Sequence, residues 1–439
     1  MLQNDSRKVK KGDTFIAIKG IKNDGHDYID EAIKNGAAKV IVEYGNYENM
    51  IKVENTSDYL HLYVKEHYLP IIKKLKIIGI TGTNGKTTTA YLIYQALNKL
   101  NINCAYIGTI GFYINKIHKK NINTTPDILT LYNMLLTCVF ENIEYVVMEV
   151  SSQGLSYNRV DGIEFDYAIF TNLTMDHLDF HKTMKNYLNA KLKLFQKLKT
   201  NGIGIINSDS NYCDYFKMGK FLTYGTSGDY KISDIDYNIN KSSFKINDYL
   251  YHMQLIGDYN VYNMCTVIII LKLLKIEDLK IRNIVETLEN APGRMEKIRY
   301  KDNVIIIDYA HTPDATLKIL KTLQNKGTII TVIGCGGNRQ KDKRKIMGFI
   351  AVHNSDYVIF TSDNPRNENA KNIIKDMLKD VDTSNYEIEI NRKKAIIKGI
   401  QKLTKNDILL ILGKGHEDYQ EIKGVRYHFN DKEIVLKNI

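Results

Sequence analysis

Residues 76–89 read KIIGITGTNGKTTT, and the interpretation of this stretch decides the fold. An apolar strand pattern runs into Gly82-Thr83-Asn84-Gly85-Lys86-Thr87-Thr88, and TTTAYLIYQALNKL (87–100) then carries a helical pattern. Strand, glycine-rich loop and helix together are what a phosphate loop needs, because backbone N–H groups and a helix N-terminus cradle phosphate oxygens. In that setting Lys86 reaches the terminal phosphates and the Thr87 hydroxyl ligates Mg²⁺. The strict GxxxxGK[ST] spacing asks for glycine at position 80, which is Ile80 here, and glycines stand at 79 and 82 instead. Such a loop predicts nucleotide binding but leaves ligase, kinase, motor and switch equally open.

Outward from the loop, short β-branched runs alternate with helical patterns along the whole chain, which predicts a parallel α/β architecture. The strand candidates are 39–43, 76–82, 145–151, 167–173 and 202–207, then 303–310, 328–334, 357–363 and 407–413. Their near-continuous apolar character predicts sheets covered on both faces. A compact α/β segment ends before Lys76, and a second break falls at Ala291-Pro292-Gly293, after a helical stretch over 278–290. Three domains follow: a small N-terminal α/β substrate domain (1–70), a central ATPase-like parallel-sheet domain (71–290) and a C-terminal Rossmann-like α/β domain (291–439). A length of 439 residues supports more than one core.

Composition narrows the class. Hydrophobic residues make up 44% and charged residues 25%, as in ordinary globular proteins. The polar start MLQNDSRKVKKGD argues against secretion. The longest apolar run, Val267 to Leu274, is broken by Lys272 and falls far short of the roughly 20 residues that span a bilayer. Five well-separated cysteines without a CxxC pair read as reduced thiols, so the expectation is a cytoplasmic protein with no membrane insertion. The formal charge of +11 is scattered and not gathered into an arginine-rich helix or arm, which argues against nucleic acid and suits a multiply anionic small substrate.

Two further segments carry chemistry. Met148-Glu149-Val150-Ser151-Ser152 sets a carboxylate at the C-terminal end of an apolar strand, where the metal-binding acid of a nucleotide site belongs. Thr171-Asn172-Leu173-Thr174-Met175-Asp176-His177 follows another strand, and His177 is open to a metal or a phosphate role. Lys191 lies in a helical stretch, where a lysine is ordinarily a solvated charge.

At this point the chain resembles the Mur ligase family over almost its full length. GITGTNGKTTT, MEVSS and TNLTMDHLDFH…AKLKLF resemble that family's ATP-binding core. PGRME, DYAHTPDA, GCGGNRQKDKR, SDNPR and GKGHEDYQ resemble the branch that adds the third residue of the peptidoglycan stem peptide, in its meso-diaminopimelate-adding type. The resemblance implies an ATP-dependent ligase working through an acyl phosphate, with two Mg²⁺ ions. Thr87 and Glu149 hold one ion, and His177 with Lys191, the latter as a CO₂-derived carbamate, holds the second. Lys86, Glu149, His177 and Lys191 are the implied catalytic set. Gly82 to Thr88, Asn263, Arg294 and Asp308 contact ATP. Asp5-Ser6-Arg7, Ile21, Lys22 and Asn23 meet the uridine diphosphate end of a UDP-N-acetylmuramoyl-dipeptide, and Thr124, Thr125, Ser151, Tyr157 and Arg159 hold its sugar–dipeptide part. Arg339, Asp363-Asn364-Pro365-Arg366, Gly413 and Glu417 read the incoming amino acid. An arginine fork plus an acid matches the distal carboxylate and amine of diaminopimelate, whereas lysine has no distal carboxylate to pair.

Three departures from the family pattern bear on the acceptor. The chain starts almost at DSR, so the usual first strand and helix are expected to be missing. Gln153 stands where the family commonly has His, and Tyr157 where relatives supply a polar contact. The alternatives are an L-lysine-adding ligase, a paralogue with another acceptor, or a non-catalytic nucleotide-binding regulator. The chain is expected to act as a monomer.

Overall fold

The computed structural model describes residues 1–439 except 21, 22, 116 and 122. Among the described residues the strands gather into sheets of four, eleven and six, with a separate two-stranded hairpin. The first sheet runs Leu2–Gln3, Thr14–Ile16, Lys39–Val42 and Met50–Lys52, all parallel.

The central sheet carries the phosphate loop. From one edge its strands are Tyr249–Met253, Ser242–Ile246, Tyr230–Tyr237, Lys220–Gly225, Leu198–Asn207, Phe165–Phe170, Lys76–Thr81, Tyr145–Glu149, Cys104–Gly108, Gly111–Ile114 and Ile117–Lys119. The strand Lys76–Thr81 therefore lies between the two that end in Glu149 and lead to Thr171, and all three are parallel. Their C-terminal ends open on the same side, where α/β sheets bind ligands. Antiparallel strands extend both edges, an addition that the uniform α/β alternation did not predict. Strand Tyr230–Tyr237 alternates buried and exposed residues only in part, so it lacks the continuous apolar run of the buried strands.

Both faces of this sheet are covered. The helices Ile128–Phe140 and Met184–Phe195 pack on one face, and Lys86–Lys99 and Asp258–Leu273 on the other. Helix Asp258–Leu273 is buried nearly all round, with Val267 to Leu271 fully enclosed, which accounts for the apolar run seen there. Each such aliphatic side chain contributes about 1.5–3 kcal/mol on burial. Gly79 serves this packing: a Cβ there would sit 2.6 Å from the Phe165 ring.

The third sheet runs Glu296–Tyr300, Asn303–Asp308, Ile408–Leu412, Ile329–Ile333, Tyr357–Phe360 and Tyr386–Ile388, parallel except for its first strand. Its apolar strands and helices form two cores, one of which also takes in Ile256 from the preceding unit. Lys297 and Lys326 reach across to backbone carbonyls of Asn240, Gln254 and Tyr237, which ties this unit to the central sheet's antiparallel edge. No helix among the described residues is long and apolar enough to cross a membrane.

Candidate functional site

The phosphate loop is shaped by two glycines and left uncapped. Gly82 and Gly85 hold φ of +151° and +87°, and a Cβ on Gly85 would lie 2.6 Å from Asn263 Oδ1. Helix Lys86–Lys99 starts at Gly85 without a side-chain cap, so its first N–H groups are free for an anion. Thr171 Oγ1 and Asn172 Nδ2 donate to the Asn84 carbonyl at 2.6 and 3.1 Å and fix the loop from the neighbouring strand end. Lys86 Nζ folds back onto the carbonyls of Gly82 and Thr83 at 2.9 and 2.8 Å. Burial lowers its pKa, against the pull of Glu149 and Asp176.

Glu149 is fully buried at its strand end. Its carboxylate accepts from Thr87 Oγ1 at 2.8 Å, Tyr106 OH at 2.6 Å and the Thr109 backbone N–H at 2.8 Å. It makes no ion pair among the described residues. A buried carboxylate beside a hydroxyl, at the mouth of a phosphate loop, fits a hard cation that takes its remaining ligands from phosphate and water. No group of three or more His, Cys, Asp and Glu side chains is arranged to hold a metal among the described residues. Lys191 is 1% exposed, donates to Gly82 O at 2.8 Å and sits 4.4 Å from the Tyr187 ring centroid. Burial, helped by the charge of Lys86, pushes its pKa well down. It too has no ion-pair partner among the described residues, so it is not the solvated lysine that a helix ordinarily carries. His177 takes a left-handed backbone (φ +54°) and stands beside Asp176, Nε2 to Oδ2 3.4 Å.

Two cavities meet at this place. One, of about 640 Å³, is lined by Thr83 to Thr88, Glu149, Asn263, Arg294 and Asp308. The other, of about 720 Å³, extends past Thr124, Ser151, Arg159, His177 and Lys191 to Arg339, Asp363, Asn364, Arg366, Gly413 and Glu417. Their walls share Lys86, Asp176, His177, Tyr309 and His311, together with Thr109 and Thr124. The C-terminal unit closes over the loop through Asn84 Nδ2 to Asp314 Oδ2 at 2.9 Å and Arg294 to Thr87 Oγ1 at 3.2 Å. Asp308 accepts the backbone N–H groups of Met295 and Ala310, which fixes the chain that carries Arg294.

At the far end, Asn364 Nδ2 donates to Glu417 Oε2 at 2.7 Å, and Arg366 donates to Gly337 O at 2.8 Å with Glu421 Oε2 3.7 Å from its Nε. Gly413 (φ +111°) has no room for a side chain, since a Cβ would meet Asp363 Oδ2 at 2.5 Å. Burial and the neighbouring Asp363 raise the pKa of Glu417, and Lys414 opposes them.

Several sequence-predicted residues stand back from the cavity walls. Gly82 and Thr125 shape the loops behind, with Thr125 accepting the Ser151 N–H and receiving Arg159 at its carbonyl. Pro365 acts through backbone shape, its carbonyl packing on Gly337. Tyr157 is outside both cavities, with the Arg159 guanidinium over its ring and Phe180 tilted against it. Ser6, bonded to Glu31 Oε2 at 2.6 Å, and the exposed Asn23 belong to the N-terminal sheet region. Ile21 and Lys22 lie outside the described residues. Sequence reasoning left Asp176, Tyr309, His311, Lys343 and His416 without roles, although all five line the larger cleft. They stood inside recognised motifs; what linear order hides is that four segments of the chain converge there.

The chain matches three family descriptions in succession: "Mur ligase family, catalytic domain" over 1–81, "Mur ligase middle domain" over 80–271, and "Mur ligase, glutamate ligase domain" over 293–415. It is 42% identical to the UDP-N-acetylmuramoyl-L-alanyl-D-glutamate–2,6-diaminopimelate ligase of Clostridium perfringens, over 99% of this chain and 93% of that one. The protein of the same name from Fusobacterium nucleatum is 41% identical over 100% and 93%. Among solved structures, a ligase of that name superposes with a TM-score of 0.66 at 33% identity, covering 100% of this chain and 94% of the other. The Thermotoga maritima MurF ligase in complex with ADP superposes at 0.71 with 21% identity, over 94% and 93%, and so shares the fold. With its three-domain architecture, its phosphate loop and these matches, the chain belongs to the Mur ligase family.

Proposed function

We propose that the chain is the cytoplasmic, monomeric ligase that joins meso-diaminopimelate to UDP-N-acetylmuramoyl-L-alanyl-D-glutamate at the expense of ATP. The observation that carries this reading is the shared wall of the two cavities: the phosphate loop opens into the same space as the Arg366–Glu417 end. The relatives that carry this activity in their names match the chain over nearly its whole length. In this reading the three bodies are residues 1–70, 71–290 and 291–439.

Glu149 and Thr87 are the residues to hold one Mg²⁺, and His177 with a carbamylated Lys191 a second. When bound, these ions neutralise charge on the transferring phosphoryl group. Lys86 leaves the Gly82 and Thr83 carbonyls to donate to the terminal phosphates, while Arg294 and Asn263 hold the nucleotide. The side-chain carboxylate of the acceptor's terminal D-Glu attacks the γ-phosphorus, giving ADP and an acyl phosphate. The free amine of diaminopimelate then attacks the acyl carbon and inorganic phosphate leaves. Tyr309 and His311, brought in by the C-terminal unit, wall the junction against water, which an acyl phosphate requires. Arg339 and Arg366 pair the substrate's carboxylates, and Glu417 its distal ammonium. Thr124, Ser151 and Arg159 face the sugar–dipeptide, and Ser6 and Asn23 the uridine end.

The test is phosphate release from ATP and Mg²⁺ with UDP-N-acetylmuramoyl-L-Ala-D-Glu, comparing meso-diaminopimelate with L-lysine. Turnover with diaminopimelate is expected. Turnover with lysine alone would keep the ligase and remove the Arg366 assignment; release without any amine would remove the ligase reading.

A further inference from the structure

Lys414 lies in GKGHE, one residue past the glycine that borders Asp363, and its side chain is fully buried beneath the floor of the larger cleft. Its ammonium donates to Glu417 Oε2 at 3.1 Å, to Asn364 Oδ1 at 3.2 Å and to the Tyr419 carbonyl. Asn364 is thereby held in one orientation. Its Oδ1 takes Lys414 and the Glu421 backbone N–H (2.9 Å), and its Nδ2 is left to donate to Glu417. Glu417 Oε2 is thus held from two sides, whereas no protein donor reaches Oε1 among the described residues.

We propose that Lys414 is a positioning residue for the amino-acid substrate: it keeps Glu417 ionised and turned so that Oε1 meets the distal ammonium of the incoming diamine. This rests on the function proposed above and adds to it a group that does not itself touch the substrate. The need for such a group is electrostatic. Glu417, largely buried with its side chain 14% exposed, stands next to a second carboxylate, Asp363, and the other groups around it are Tyr309, Tyr419 and, more distant, the Arg392 guanidinium. Arg392 is already committed to Asp431 at 2.7 and 2.8 Å. Lys414 is the one cation bonded directly to the Glu417 carboxylate among the described residues. Without it, burial and Asp363 favour the neutral acid, which cannot pair an ammonium.

The pH dependence of kcat/KM for meso-diaminopimelate reads this directly, in wild type, Lys414→Met and Lys414→Gln. The expected result is an acid limb moved to higher pH by about one unit in the lysine variants, with about a tenfold rise in KM for the diamine at pH 7. KM for ATP is expected to hold. Asp363→Asn, which removes the repelling charge, should move the same limb to lower pH; this arm stands even if the lysine variants do not fold. Opposite shifts are a signature that a merely structural lysine does not give. An unchanged limb in all variants, with wild type active, overturns this inference alone. A wild type inactive with diaminopimelate overturns the parent reading and this one with it.

Discussion

Lys191 Nζ donates to the Gly82 carbonyl at 2.8 Å and so joins helix Met184–Phe195 to the phosphate loop. A buried cation without a counter-ion is costly, and lowering its pKa toward the neutral amine relieves the cost. The neutral amine is also the form that adds CO₂.

The first prediction follows from that pairing. Lys191→Ala should lower kcat by about 100-fold or more, the scale of losing a group that stabilises transition-state charge. A small carboxylic acid added to the assay should restore part of the rate if a carbamate is the working form. Rescue by an alkylamine in its place would assign the role to the ammonium.

Gly82→Ala tests the loop. A Cβ at this position would fall 1.9 Å from Thr171 Oγ1, the hydroxyl that holds the Asn84 carbonyl, so the loop has to move. Overpacking of this kind costs about 1–3 kcal/mol. The KM for ATP should rise, whereas Gly219→Ala, at an open position, should leave it alone. Equal effects on ATP in both variants would contradict the assignment.

Arg294 bridges the closing unit to the loop through Thr87, and its guanidinium lies 4.4 Å from the Tyr309 ring centroid. Arg294→Ala removes a charged contact worth about 1.5–3 kcal/mol, so KM for ATP should rise roughly 10- to 100-fold. A fall in thermal stability with unchanged nucleotide affinity would recast this arginine as a domain strut only.

Arg366→Ala addresses the choice of amine. Loss of a guanidinium–carboxylate pair should cut kcat/KM for meso-diaminopimelate by about 100-fold and leave any slow lysine turnover nearly unchanged. Parallel loss with both amines would place Arg366 in loop structure, through its bond to Gly337, and not in recognition.

The sequence carried the architecture well because each buried strand of a parallel sheet is a short apolar run followed by a helix. KIIGIT and YVVME are such runs, and both became neighbours in the central sheet. The antiparallel edges were not legible, since half-exposed strands such as Tyr230–Tyr237 have mixed patterns. Within the site, Lys86 and Thr87 declared themselves by loop chemistry alone. Lys191 did not: a helical lysine says nothing of burial, and its proximity to Gly82 spans more than a hundred residues. The junction of Asp176 with His311 and Lys343 was likewise hidden, because it exists only once the third unit closes on the second.

The same closure makes the protein acid-sensitive. Burial pushes His311 down to about 4 and His416 to about 3, so the fold holds both neutral. An unfolded histidine titrates near 6.5, so below that pH the unfolded state binds protons the folded state refuses. The contribution of these two histidines to stability is therefore complete above about pH 6.5 and is lost as pH falls toward the folded values, at up to about 1.4 kcal/mol per unit for each. Asp308 and Glu417, whose pKa values burial raises, offset part of this by holding protons in the fold. The unfolding midpoint should fall between pH 7 and pH 5, less steeply in His311→Asn and His416→Asn than in wild type. A variant whose midpoint tracks wild type at every pH would mean that its histidine takes up its proton in the fold as readily as in the open chain.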